Sequence, residues 1–287
     1  MSDPRDVGRE MTDVATRAWI PGEQLAVGGV PRRIVPLVLG YEPISESVSV
    51  AGGRRFRYLM EPVTAAAIVF DFGWVLIDGG FDPANVADDH RRAARFSYRN
   101  YTPVVPGTDP LRDQIRAAGL SWSDLAAALL THAHFDHTGA ARMLKVHQPL
   151  VLQRREWEHV CAAEDPRAAF LFRDDFDHLG LSVLLVDGDT SLAPGLRALY
   201  TPGHTPGHQS ISVELPEETV ILAGDAADLR RNVELCIPCG STVGPNGPDD
   251  AQRSIDRLHA LDREGAIVWP AHDPDWGPWA RVIDAQP

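Results

Sequence analysis

Apolar residues along this chain gather into short runs, each closed by glycine, proline or aspartate. Runs of that length between turn residues read as buried strands, not helices. They predict strands over 34–39, 65–70, 74–77, 125–130, 149–152, 183–186, 196–201, 209–215, 219–223 and 267–269, with one more over 55–60. Asp71-Phe72-Gly73 lies between two of them and predicts a hairpin with Gly73 in the turn. Helical spacing appears elsewhere. Thr108-Asp109-Pro110 is a helix start, Leu111, Ile115 and Ala118 share one face, and Gly119 ends it. Helices are also expected over 138–146, 153–163 and from Pro248 to Gly265, the last carrying Ile255, Leu258 and Leu261 on its inner face. Strands interleaved with helices, without a long linker, give an α/β chain. The expected architecture is a single domain over 1–287, two packed sheets with helices outside. Residues 1–32 form a polar lead-in, and the catalytic core covers about 34–275. The small-residue stretch 240–247 has few side chains to hold it and is expected to be a mobile loop.

Chemistry concentrates where apolar runs end. Thr131-His132-Ala133-His134-Phe135-Asp136-His137 follows one such run. His132 and His134 share a side of an extended chain and suit one metal. The turn at Thr138-Gly139 lets Asp136 and His137 face a second. His204 sits among glycines and prolines, Asp225 ends a strand, and His272 follows Trp269-Pro270-Ala271. Imidazole and carboxylate suit zinc, and other divalent transition metals share the preference. A buried carboxylate at 225 needs cations or donors, and a bridge between two metals would satisfy it. Asp78 is a structural cap or a partner to a ligating histidine, and His208 supports a ligand or packs. His90, His147, His159, His178 and His259 read as ordinary surface or core histidines.

Composition narrows the partners. The net charge of −13 argues against nucleic acid or an anionic membrane surface. No apolar stretch approaches a membrane span, and residues 1–20 carry no apolar core, so a cytoplasmic protein is expected. Three cysteines do not make a disulfide framework. Cys236 and Cys239 form one CxxC spacing, read as two loop cysteines near the pocket, and Cys161 reads as a helix-packing residue. A small-molecule substrate and a monomer or homodimer complete the expectation.

The ligand motifs, in this order, resemble the metallo-β-lactamase superfamily. The segments Leu152-Gln153-Arg154-Arg155-Glu156-Trp157-Glu158 and 200–210 resemble its N-acyl homoserine lactone hydrolases, the quorum-quenching lactonases. The resemblance implies an αββα sandwich with two zinc ions. It implies His132, His134 and His204 on one metal, Asp136, His137 and His272 on the other, and Asp225 bridging. It further implies opening of a lactone by attack of a metal-bridging hydroxide, with Asp136 shuttling a proton to the leaving oxygen. One position departs from that pattern. The lactonases commonly carry Tyr three residues after the bridging Asp, where this chain has Asp228. A carboxylate cannot donate the same hydrogen bond unless protonated, which leaves room for a lactone other than an acyl-homoserine lactone. Tyr98 and Tyr101, with Phe96, form a substrate-facing loop or a surface turn. Trp269, Trp276 and Trp279 line an apolar pocket or pack in the core. The rival readings are a phosphodiesterase or thioesterase on the same scaffold, and a non-catalytic metal-binding sensor.

Overall fold

A computed structural model describes residues 14–178 and 180–284. Twelve strands are present among them: β1 (Ala15–Ala18), β2 (Gly28–Ser45), β3 (Tyr58–Phe72), β4 (Trp74–Ile77), β5 (Leu125–Leu129), β6 (Leu150–Gln153), β7 (Ser182–Val186), β8 (Thr190–Ala193), β9 (Leu196–Tyr200), β10 (Gln209–Glu214), β11 (Thr219–Leu222) and β12 (Ile267–Trp269). Seven form one sheet in the order β1-β7-β6-β5-β4-β3-β2, and five form a second in the order β12-β11-β10-β9-β8. In the first sheet β1, β7, β6, β5 and β4 run parallel, and β3 and β2 close it antiparallel. In the second, β11 and β12 are the parallel pair.

The first sheet is covered on both faces, which is why its central strands read as continuous apolar runs. Along β4, Trp74 and Leu76 point to the helical side, where they meet Leu111, Ile115 and Trp157. Val75 and Ile77 point the other way and meet Leu196, Ile211 and Val220 of the second sheet. The outer face of that sheet packs Leu199, Ile221 and Val268 on Ile255 and Leu258 of the helix Gly247–Arg263. The layers are therefore helix, sheet, sheet, helix, an αββα sandwich. Each fully buried Leu or Ile contributes about 2 kcal/mol to holding them together. No helix among the described residues is long and apolar enough to cross a membrane.

The hairpin between β3 and β4 forms as expected, with Gly73 at φ 85°. Several expectations need correction. The lead-in is not all outside the fold: β1 adds a parallel strand beside β7, while residues 1–13 lie outside the described residues. The strand expected over 55–60 begins at Tyr58, because Arg54–Arg57 is a tight turn closed by the Arg57 N–H on the Arg54 carbonyl (3.1 Å). The helix expected over 138–146 is a short 3-10 segment, Thr138–Met143. Gly139 is wedged there against the Phe81 carbonyl, with its N–H on the Gly80 carbonyl (2.8 Å), and the chain is too confined to continue. Cys161 is exposed, not packed. The segment 240–247 is tied down in its first half: the Gly240 and Ser241 N–H groups both reach the Val48 carbonyl, and Val243 reaches that of Gly203.

Candidate metal centre

Four strands deliver the candidate ligands at their carboxyl ends and a fifth delivers Asp78, so the side chains meet on one rim between the sheets. β4 leads to Asp78, β5 to the segment 131–137, β9 to His204, β11 to Asp225 and β12 to His272. The donor atoms fall into two buried quartets, His132, His134, His204 and Asp225, and Asp136, His137, Asp225 and His272. Within each quartet they lie within 4.8 Å of one another. Asp225 belongs to both, and its two oxygens divide the work. Oδ2 lies 3.3 Å from His204 Nε2 and 3.6 Å from His132 Nε2. Oδ1 lies 3.0 Å from His272 Nε2 and 3.3 Å from His137 Nε2. The remaining contacts match: His134 Nδ1 is 3.0 Å from His204 Nε2, and Asp136 Oδ2 is 3.2 Å from His137 Nε2.

Donors about 2.0–2.2 Å from a tetrahedral zinc lie roughly 3.3–3.6 Å from one another. The observed spacings fall at or near that range. The buried Nε2 atom of His132 has no hydrogen-bond partner in the protein, as expected of a lone pair kept for a cation. The chemistry of the set therefore fits two divalent ions sharing one carboxylate.

The other ring nitrogens are held in place. His137 Nδ1 faces Asp78 Oδ2 at 3.0 Å, and Asp78 also accepts from the Thr131 N–H and hydroxyl. Asp78 thus stands in the partner position that the sequence left open. His272 Nδ1 lies on the Pro62 carbonyl (2.9 Å), His204 Nδ1 on that of Ser241 (3.2 Å), and His132 Nδ1 on the Thr131 hydroxyl (3.1 Å). Such partners fix ring orientation and tautomer. His208 is fully buried beside His132, with Nδ1 on the Thr201 carbonyl (3.0 Å).

Burial sets the charge states. It holds His132, His134 and His204 below the usual imidazole range, hence neutral and able to ligate. His137 and His272 suffer the same burial, but the facing carboxylates outweigh it and lift both well above that range. Burial pushes Asp136 up, and the His137 and His272 charges more than offset this, bringing it to about 2. Asp225 is likewise held low by its imidazoles against burial. Both carboxylates are ionised at neutral pH.

One residue of the site carried a motif but no assigned role in the sequence. Glu156, fully buried, accepts from the Ala133 N–H (2.9 Å) through one oxygen, and from the Thr205 hydroxyl (2.7 Å) and Gly207 N–H (3.0 Å) through the other. It bolts the His132–His134 segment to the His204 loop. Burial raises its carboxyl to about 6 against the pull of those three donors.

The quartets open into a cavity of about 280 Å³. Its wall includes Tyr98, Tyr101, Phe170, Glu42, Glu61 and Asp228. Tyr98 and Tyr101 therefore face the cavity, whereas Phe96 is buried behind them against Phe81 and Phe135. Their hydroxyls are engaged elsewhere, on the Arg167 carbonyl (2.8 Å) and on Glu42 (2.6 Å), so they offer rings to the cavity. The tryptophans do not line it. Trp279 is buried edge-on against Trp269 with its N–H on the Pro270 carbonyl, and Trp276 lies under the Arg230 guanidinium. The cysteines are not in its wall either. Cys236 and Cys239 are free thiols whose sulfurs face different partners, Asp256 and the Ser241 carbonyl.

Comparison with known proteins shows the family. Residues 61–283 match the family model of the metallo-beta-lactamase superfamily. The N-acyl homoserine lactonase AttM of Azorhizobium caulinodans is 33% identical over 228 residues, 76% of this chain and 84% of the relative. The N-acyl homoserine lactonase AiiA of Bacillus thuringiensis subsp. kurstaki is 28% identical over 229 residues, 79% and 87% of the two chains. A solved N-acyl homoserine lactone hydrolase, with the product N-hexanoyl-L-homoserine at its catalytic metal centre, shares the fold at a TM-score of 0.74 and 23% identity, over 90% of this chain and 97% of that one. The dizinc quorum-quenching lactonase AidC does so at 0.62 and 17%, over 88% and 92%.

Proposed function

The chain belongs to the metallo-β-lactamase superfamily, with the N-acyl homoserine lactonases among its relatives, and on that premise we propose that it is a lactone hydrolase using two zinc ions. His132, His134, His204 and Asp225 Oδ2 would hold one ion, and Asp136, His137, His272 and Asp225 Oδ1 the other. When bound, the ions would acidify a water and withdraw charge from the ester carbonyl. The single observation that supports this reading most strongly is the division of the Asp225 oxygens between two buried quartets.

The residues supply the rest. Asp136, ionised and on the cavity wall, takes a proton from the attacking water and returns it to the departing ring oxygen. Asp225 fixes the spacing of the two halves. Asp78 holds the His137 ring, and Glu156 holds the two loops of the first quartet in register. The rings of Tyr98, Tyr101 and Phe170 exclude water from the side where the substrate enters. The whole chain acts as one unit in this reading, because the ligands come from both sheets.

The test is proton release from a panel of lactones by purified, zinc-reconstituted protein, with a phosphodiester and a thioester as controls. Hydrolysis of a lactone is expected. It should be lost on chelation, restored by zinc, and lowered at least ~10³-fold in kcat/KM by His134→Ala, since a missing ligand removes the ion that activates the water. Turnover of a control with silence on every lactone would overturn the reading.

A further inference from the structure

Arg99 is the one arginine on the cavity wall, and no lysine stands there. It is exposed at the rim, and its guanidinium has no ion pair or hydrogen bond among the described residues. Other arginines near the mouth are engaged: Arg167 donates to the Ser97 carbonyl (2.6 Å), and Arg57 and Arg231 donate to Glu46 (3.0 and 2.8 Å). The segment around Arg99 is pinned nonetheless. The Tyr98 hydroxyl donates to the Arg167 carbonyl (2.8 Å), the Asn100 amide to the Tyr58 hydroxyl (3.2 Å) and the Tyr101 hydroxyl to Glu42 (2.6 Å). Asn100 holds φ 59°, a left-handed conformation that asparagine adopts more readily than most residues. Three of four consecutive side chains are tied down, and the fourth is a free cation on a fixed backbone.

The wall changes character from inside to rim. Its inner part holds the buried groups of the ligand quartets and the buried acids Glu42, Glu61 and Asp228. Arg99 stands among rings: Tyr98 lies 5.7 Å from Tyr101 and 5.2 Å from Phe170, and all three line the cavity. A lactone whose ester reaches the quartets must send its arm past these rings to the rim. There Arg99 offers a planar fork of donors that matches a carboxylate. The complementary substrate has a lactone ring, an apolar arm and an anionic end. With a chain charge of −13, a local cation matters more, because an anion otherwise approaches a protein of its own sign.

We propose that Arg99 is a specificity-determining residue: it takes a carboxylate at the far end of the substrate's arm, so that this protein prefers lactones with an acid-ended apolar arm to the same lactones with a neutral arm. The proposal names the substrate class of the lactonase reading and rests on it for the chemistry, though not for the binding.

Binding can be read without turnover. Zinc-reconstituted full-length protein is titrated calorimetrically with a γ-lactam, whose amide ring resists opening, bearing a hydrocarbon arm that ends in a carboxylate, and with the methyl ester of the same compound. The acid should bind ~5-fold more tightly, the upper range for an ion pair that stays in contact with water. The gap should narrow at high salt. Arg99→Gln should weaken the acid ~5-fold and leave the ester unchanged, and Arg99→Lys should keep part of the preference, since an ammonium lacks the bidentate fork. Equal binding of acid and ester, or a preference that survives Arg99→Gln, overturns the proposal. With the matching lactones, Arg99→Gln should raise KM for the acid and leave kcat unchanged. A fall in kcat on both lactones would show that the segment only shapes the site, and would overturn the proposal as well. Lactones opened regardless of charge would remove the role of Arg99 and leave the lactonase. A preference for the acid lactam with no lactone opened would do the reverse.

Discussion

Glu156 shows how one buried carboxyl can govern a site it does not enter. Its three donors sit 23, 49 and 51 residues away. Glu156→Gln keeps the volume but places an amide N–H₂ against at least one N–H or hydroxyl donor. We expect a loss of roughly 2–3 kcal/mol, in the range of a buried group left unsatisfied. In zinc-reconstituted protein the bound metal should fall below the parent's content, because the His132–His134 segment and the His204 loop lose their common anchor. Metal analysis together with a thermal melt checks this. Unchanged zinc content and melting would show that Glu156 is a packing residue. The same residue marks a limit of sequence reading. The candidate ligands were legible because five imidazoles and two carboxylates follow apolar runs, four of the seven within the single segment 132–137. Glu156 lies on a helix with ordinary amphipathic spacing, and its partners become neighbours only once the chain has folded. For the tryptophans the sequence left pocket lining and core packing open, because aromatic clustering in sequence does not say which cavity, if any, the rings face; the structure packs Trp279 in the core.

At the scale of elements, the strands were legible because burial on both faces leaves no polar position to break the run. β1 and β8 were not, since Ala15–Ala18 is exposed and Thr190–Ala193 is half polar. The loop that presents His204 depends on contact with a helix. Gly203 has φ 134°, and a Cβ there would lie 2.2 Å from the Ala251 nitrogen in the helix Gly247–Arg263. No side chain fits without moving that helix. Gly203→Ala should therefore destabilise the metal-free protein by roughly 2–4 kcal/mol, from backbone strain and overpacking together. Thermal unfolding of the apo variant checks it, and a melt equal to the parent's would show that the helix yields freely.

For the whole molecule, pH acts through buried acids away from the cavity as well as within it. Asp175 is pinned between the Arg95 guanidinium (2.8 Å) and the Thr138 hydroxyl (2.8 Å). Burial nevertheless lifts it to about 6, with Arg95 pulling the other way. A carboxyl raised on folding contributes stability that is complete below its unfolded value near 4 and is lost as pH rises through about 6. In urea unfolding of the metal-free protein, stability relative to Asp175→Asn should fall by roughly 2–3 kcal/mol between pH 4 and 7. A difference that is flat or widens with pH would show that the Arg95 pair dominates and keeps Asp175 ionised throughout.

The ligands also have a topological meaning. His134 and His204 are 70 residues apart, Asp225 and His272 are 47 apart, and His272 rests on the Pro62 carbonyl across 210 residues. The three cysteines are unpaired, so no covalent crosslink spans the fold. Ions held by these side chains would act as crosslinks in their place, closing loops long enough to remove substantial freedom from the unfolded chain. Both sheets would be stitched by the same ions. Losing them would release the closing segment around His272 and the edge of the second sheet together, so metal starvation would be a route to degradation as well as to inactivity.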